Sequence, residues 1–452
     1  MGLLRQLLGR VFGGSAKAPN SPLLSQPGKT GGQSQGGAKS SKPGAEPRQD
    51  GVAQARALID ADHCDEALAA AIALPAAADP DELSALAEGF LQAGSPDHAR
   101  RLLAHLLQLH AESAPLHERL ALVALAQDDQ ATARAAAARA LQIDPKRRWA
   151  HVVEAEVLLR EGHFEEAEAE YQALAATGND WLMCRNVHFG GAFFKSLSGK
   201  IPEVPAPTVV VAAGNAAFDH VLLVSCDRAY FEEYGGAFVN AYARNGGGRG
   251  LLHLHVVDPA PDFAEKIARL IEKTGIAAIA VTTEKTPFRK LSPAKQKTYY
   301  TCARFLHFGN WLAQYRKPIV CFDVDAIVEK PLDPLVEACR DADLGLVWRE
   351  PRRAVWLDVV AYTVFANPTP AAIEYFRLVR RFLLVFAAKG FLYWQIDQIA
   401  LHCVLIMLRR FAKAPRTVDI FGHIDEVAWL LARRRTGGKT GDPVYLAYKV
   451  EY

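Results

Sequence analysis

Residues 318–328 read PIVCFDVDAIV, in which Ile319-Val320-Cys321-Phe322 is followed at once by Asp323-Val324-Asp325. Four apolar residues between a proline and a carboxylate are too few for a helix, and they read as a strand buried on both faces. The same pattern recurs upstream. His220 to Ser225 (HVLLVS), Leu251 to Val257 (LLHLHVV) and Ile276 to Thr282 (IAAIAVT) are apolar runs of strand length. Between them lie helical stretches at Tyr230 to Asn245, Phe263 to Lys273 and Lys297 to Tyr315. Strands alternating with helices predict an α/β, mostly parallel sheet, which binds ligands beyond the carboxyl ends of its strands. Asp323 and Asp325 stand at such an end.

Two carboxylates at that place suit a hard cation, Mn²⁺ or Mg²⁺, which in turn bridges the phosphates of a nucleoside diphosphate. By spacing alone D-x-D is also an ordinary solvated turn, because Asp favours turns.

The wider context separates these readings. Tyr300 to Leu332, YTCARFLHFGNWLAQYRKPIVCFDVDAIVEKPL, resembles the nucleotide-sugar glycosyltransferases of the GT-A fold: a helix with Arg304-Phe305, an apolar strand, D-x-D, then Pro331-Leu332. Downstream, Tyr393-Trp394-Gln395-Ile396-Asp397-Gln398-Ile399-Ala400-Leu401 is similar to the W-x-x-D-Q-x-x-L segment of several such families. The resemblance implies a Rossmann-like GT-A domain over residues 218–452 and a glycosyltransferase of hexosyltransferase type. It implies Asp325 as a metal ligand and Asp323 on the metal or the ribose. Ser225, Cys226 and Asp227 would lie beside the nucleobase and ribose, Arg304 and Gln398 at the donor, and Asp397 at the donor sugar or acceptor as a base. His423 is the candidate third metal ligand, and Lys439, after Arg433-Arg434-Arg435-Thr436-Gly437-Gly438, the candidate phosphate contact in a basic loop. The implied partners are a nucleoside diphosphate-sugar, with UDP-sugar favoured, and a glycan, lipid-linked or protein acceptor. Asp358 departs from the family pattern, where small or neutral residues are more usual.

Residues 51–180 are Ala- and Leu-rich and repeat. Ala99, Ala133 and Ala167 follow one another at 34-residue steps, as do the turn residues Gly94, Asp128 and Gly162, and Ala67 marks a degenerate earlier copy. Together with LQIDP closing one unit, the period resembles the tetratricopeptide repeat, which implies an all-α solenoid that holds a protein partner or serves as a spacer. An Ala-rich bundle with chance periodicity is the plainer alternative. Residues 181–217 are expected to be a capping helix and a Pro-rich linker. Residues 14–50, rich in Gly, Ser, Pro, Gln and Lys, are expected to be a disordered linker. Residues 1–13, MGLLRQLLGRVFG, form an amphipathic segment that suits either a partner-binding or disordered start or a helix on a membrane surface.

Composition narrows the remaining classes. A net charge of +2 gives no reason to expect nucleic-acid binding. Seven scattered cysteines without a C-x-x-C pair suggest neither a zinc site nor a disulfide framework. They fit a reducing, cytoplasmic location, peripheral on the inner face of the membrane if the first residues lie there. Two rival functions stay open. A nucleotidyltransferase would want glycines in the loop after the first strand, which SCDRAYFEEYGG lacks until its end. A non-catalytic repeat scaffold would have no use for both aspartates.

Overall fold

The computed structural model describes residues 48–74, 79–214, 217–288, 291–349, 353–430 and 439–452. The amphipathic segment 1–13, nearly all of the expected linker, and residues 433–438 of the basic loop lie outside them. By internal contacts the chain falls into two units, Met1–Val157 and Leu158–Tyr452.

The first unit is helical: α1 (Arg48–Asp60), α2 (Cys64–Ile72), α3 (Pro80–Gln92), α4 (Pro96–Leu109), α5 (Ala114–Ala126), α6 (Gln130–Ile143) and the start of α7 (Arg148–Glu161). Helix α1 begins inside the stretch expected to be linker. Each of α1, α2 and α3 packs on the next helix and on the next but one, the contact pattern of a stacked array. The 34-residue period has a physical basis at two kinds of position. Gly94, Asp128 and Gly162 all adopt left-handed backbone, with φ of 73°, 60° and 86°, which lets one helix end and its partner turn back. Asp62 does the same at φ 63°, five residues before Ala67. Ala67, Ala99, Ala133 and Ala167 are fully buried, where a larger side chain would hold neighbouring helices apart. Ion pairs join successive repeats: Arg119 to Glu88, and Arg147 to Glu118.

The second unit opens with the end of α7 and α8 (Phe164–Leu174). The expected capping helix over 181–197 is replaced by a 3₁₀ turn at Asn179–Asn186 and a short helix at Gly191–Ser196. Gly190 is extended (φ −72°, ψ 150°) and breaks the run between them. Residues 201–207 form no regular element.

The sheet then builds from β1 (Thr208–Val211), β2 (His220–Asp227), α9 (Gly236–Asn245), β3 (Gly250–Val257), α10 (Phe263–Thr274), β4 (Ile279–Glu284), α11 (Pro293–Tyr315) and β5 (Ile319–Phe322). It continues with β6 (Ala326–Val328), β7 (Leu344–Trp348), β8 (Val359–Ala366), α12 (Pro370–Ala388), α13 (Ile396–Phe411), β9 (Thr417–Asp419) and β10 (Ala428–Leu430). The strand order is β1-β4-β3-β2-β5-β8-β7-β9. Strands β4, β3, β2 and β5 run parallel, whereas β8 is antiparallel to both β5 and β7. Strands β2 and β3 are buried almost throughout, as expected of sheet covered on both faces. Helix α10 buries Phe263, Ile267 and Leu270 on one stripe and stops at left-handed Gly275.

Chain order β2, β3, β4 runs outward in one direction, and β5 then returns to the other side of β2. That reversal is the switch point where a crevice opens beyond the carboxyl ends. Asp227 ends β2 and Asp323 follows β5, so the switch point lies between them.

Among the described residues no helix is long and apolar enough to cross a membrane.

Candidate active site

Asp323, Val324 and Asp325 make the turn from β5 into β6. The turn is held from both sides. The amide of Asp323 donates to the Tyr362 carbonyl on β8 at 3.0 Å, and the amide of Ala326 donates back to the Asp323 carbonyl at 3.1 Å. Strand β6 pairs with β10, Ala326 opposite Leu430 and Val328 opposite Ala428, a tie that fixes where the turn points. Val324, between the two aspartates in sequence, is buried in the core, and the Asp323 charge acts on Asp325.

Each carboxylate meets a cation. Arg304, on α11, is ion-paired with Asp323, and Lys439 with Asp325. Arg304 Nη2 also lies 3.8 Å from Asp397 Oδ2, in the first turn of α13. The two segments of the sequence resemblance, Tyr300–Leu332 and Tyr393–Leu401, thus meet through one guanidinium. Lys439 Nζ stands 5.9 Å from the centre of the Tyr230 ring and 6.0 Å from that of Tyr234.

The electrostatics are unbalanced: Asp323, Asp325 and Asp397 share two cations. Burial raises the Asp325 pKa above the usual Asp value, the Asp323 charge raises it further, and Lys439 offsets this only in part. Burial also raises Asp397, against the opposing pull of Arg304 and the Gln398 amide. Burial disfavours the charge on Arg304, yet Asp323 and Asp397 hold its pKa above the ordinary value. Lys439 is likewise raised, with Asp325 outweighing its partial burial. Arg304 Nε is buried with no hydrogen-bond partner.

The other predicted residues divide. Ser225 and Cys226 are buried near the end of β2, and Ser225 Oγ has no partner. Desolvation pushes the Cys226 thiol well above its usual pKa, so it stays protonated and serves as packing. Asp227 Oδ1 accepts from the Tyr230 amide at 2.9 Å and caps the turn that follows β2. Gln398 Nε2 donates to the Trp356 carbonyl at 2.9 Å, which commits its amide to the fold. His423 is half-exposed, 3.8 Å from Glu426, and forms no ligand group with Asp323 and Asp325. Asp358, the departure from pattern, is buried and accepts from the amides of Arg353 and Ala354 at 3.0 and 3.3 Å. It shapes a loop.

Sequence reasoning missed the pairing of Lys439 with Asp325, and the aromatic pair Tyr230 and Tyr234 beside it. Their i, i+4 spacing on a helical turn was the available signal.

No family model matches the sequence, and no curated protein matches it. Among solved structures the chain is similar to a Thermobaculum terrenum O-GlcNAc transferase mutant (17% identity, TM-score 0.26, covering 45% of this chain and 40% of that one). It is similar to the glycosyltransferase GlyE of Streptococcus pneumoniae (14% identity, TM-score 0.30, 45% of each chain). Mouse xyloside xylosyltransferase 1 also matches (13% identity, TM-score 0.30, 45% of this chain and 86% of that one). The chain therefore spans less than half the length of the first two. Likeness this loose bears on no residue of the site.

Proposed function

We infer that residues 218–452 transfer a hexose-type sugar from a nucleoside diphosphate-sugar to an acceptor hydroxyl, with Mn²⁺ or Mg²⁺ held at Asp323 and Asp325. The observation that carries this reading is the surplus of negative charge at the switch point. Three carboxylates face two cations there, and the deepest of the open pair, Asp325, has its pKa raised. Such a set fits a divalent ion, since oxygen donors on a buried turn are what Mn²⁺ and Mg²⁺ accept. The ion would supply positive charge to the departing diphosphate.

The chain's own residues supply the rest. Arg304, clamped between Asp323 and Asp397, presents a fixed guanidinium toward the diphosphate. Lys439, paired with Asp325, would turn to a phosphate oxygen if a cation held that carboxylate. Ser225 Oγ, buried without a partner, offers a hydrogen bond to the nucleoside. Asp397 holds Arg304 in place and, with its proton affinity raised by burial, is the candidate base when an acceptor arrives. UDP is the favoured carrier. The helical repeats are proposed to hold a protein partner.

Thermal denaturation with a panel of nucleoside diphosphates, with and without Mn²⁺, tests the reading. A ligand at a hundred times its Kd stabilises the folded state by about 2.7 kcal/mol. One nucleotide should raise Tm only with metal, and Asp325→Ala should abolish the rise. Turnover of the matching sugar nucleotide should fall about 10²–10³-fold in that variant, the scale of a lost charge-stabilising group. A well-folded protein that no nucleotide stabilises would leave the scaffold reading in its place.

A further inference from the structure

Behind the site, between the sheet and α11, lies a second cluster of ionisable groups for which the sugar-transfer chemistry has no use. His255 on β3, Glu284 at the end of β4 and His307 on α11 are all buried, and their ligand atoms lie within 4.8 Å of one another. Among the described residues this is the one group of three or more such side chains so placed. We propose that it is a zinc site, separate from Asp323 and Asp325, with His255 Nε2, His307 Nε2 and the Glu284 carboxylate as ligands.

The geometry falls close to what the ion requires. His307 Nε2 is 2.7 Å from Glu284 Oε2, and His255 Nε2 is 3.9 Å from Glu284 Oε1. A tetrahedral Zn²⁺ about 2.0 Å from each donor needs donors roughly 3.3 Å apart. One distance must open and the other close by about half an ångström. Two imidazoles and a carboxylate are a zinc donor set, with a water or the second Glu284 oxygen completing it.

Two further features point to a ligand rather than to a finished polar cluster. His255 Nε2 is fully buried, aimed at Glu284, and has no hydrogen-bond partner. An orphaned buried nitrogen is costly unless something binds it. Its other nitrogen belongs to a relay. His255 Nδ1 and His253 Nε2 each lie 2.9 Å from Thr282 Oγ1, and His253 Nδ1 lies 3.1 Å from the Tyr315 hydroxyl. Thr282 has a single proton to place between the two rings, so the relay can run in either direction. In one direction Thr282 donates to His255 Nδ1, and Nε2–H points toward Glu284 with no acceptor in reach. In the other, His255 Nδ1–H donates to Thr282, Thr282 to His253 Nε2, and His253 Nδ1–H to Tyr315. Every relay group is satisfied, and the Nε2 lone pair faces the cluster, as a metal ligand's must. Glu284 is steadied by the Tyr299 hydroxyl at 2.9 Å, so its carboxylate has its own supporting donor.

The consequence reaches the active site through α11. Tyr299, His307 and Trp311 lie on one face of that helix at eight- and four-residue spacing. Arg304 stands one turn before His307. An ion joining β3, β4 and α11 would fix the height and rotation of the helix that presents Arg304.

Metal analysis of the full chain purified without chelator tests this. About one equivalent of zinc per chain is expected, retained in Asp323→Asn/Asp325→Asn and lost in His255→Gln and Glu284→Gln. Metal-stripped wild-type protein should regain its lost Tm with zinc chloride, and cobalt chloride should give the visible absorption of a tetrahedral site. The absorption requires no variant, so a misfolded His255→Gln protein leaves the proposal testable. Absence of zinc together with no response to added zinc or cobalt would overturn it and leave a hydrogen-bonded cluster. Zinc that disappears with the two aspartates would overturn it too, since the ion would then belong to the sugar-transfer site. Neither result depends on whether a nucleotide binds.

Discussion

Glu118 in the helical unit and Asp325 at the edge of the sheet are both buried carboxylates with one cationic partner, Arg147 in the first case and Lys439 in the second. Their surroundings differ. Glu118 also accepts from the amides of Trp149 and Ala150 at 3.1 and 3.2 Å, so its oxygens are committed to the start of α7. Asp325 has Asp323 two residues away, and its pKa is raised by burial and by that charge. One carboxylate is used up in holding helices together, and the other is short of positive charge. A structural ion pair and a candidate cation site can therefore be compared by what remains unsatisfied once the pair is drawn.

The comparison breaks most visibly at Arg304. This guanidinium is buried and compensates two carboxylates at once. Arg304→Met should cost about 3–5 kcal/mol, because it leaves Asp397 and Asp323 without their cation. Chemical denaturation of the purified variant measures the loss. Adding Asp397→Asn should restore part of it, since the neutral amide no longer needs a partner. If Arg304→Met is as stable as the parent, the three carboxylates do not share their charge in the way the geometry indicates.

How far the sequence foretold this depends on the range of the interaction. The four parallel strands were legible because each is a largely apolar run of strand length, and the Ala99, Ala133 and Ala167 register was legible because it repeats. Beyond β5, the reversed direction of β8 and the return of β7 and β9 to the direction of β5 carry no local mark. The pairing of β6 with β10 joins three-residue strands about 100 positions apart, too short for any periodicity to show. At the candidate site the sequence resemblance named Asp323, Asp325, Arg304 and Asp397, which the fold brings together. It also named Gln398, whose amide donates to the Trp356 carbonyl, and His423, which lies 3.8 Å from Glu426. The cluster of His255, Glu284 and His307 was out of reach, because its members come from three elements whose adjacency only the sheet order creates.

A middle-sized effect belongs to Glu118. Glu118→Ala removes a charged acceptor from Arg147 and from two amides, at a cost of about 1.5–3 kcal/mol. Hydrogen exchange at the Trp149 and Ala150 amides should quicken in the variant, while amides of β2 and β5 keep the parent's protection. Exchange that quickens in both places would mean that the charge does more than tie successive repeats.

The smallest effect tests whether exposed carboxylates in the repeats follow the same logic as buried ones. Asp129 precedes α6 and its side chain accepts from the Thr132 amide at 3.1 Å, with Arg100 at 2.8 Å. Hydrogen bonds from Thr132, then Arg100, lower its pKa from the ordinary 3.8 to about 2. A carboxylate whose folded pKa is depressed adds stability that is present above the unfolded value and vanishes as pH falls through the folded one. Asp129→Ala should therefore lower Tm by on the order of one to a few degrees at about pH 6, from loss of the helix cap. The gap between variant and parent should narrow as pH falls from 3.8 toward about 2, where the parent's carboxylate takes up its proton as well. A gap that stays constant across that window would show that the cap acts through its shape alone, and that charge in the repeats matters only where, as at Glu118, it is buried.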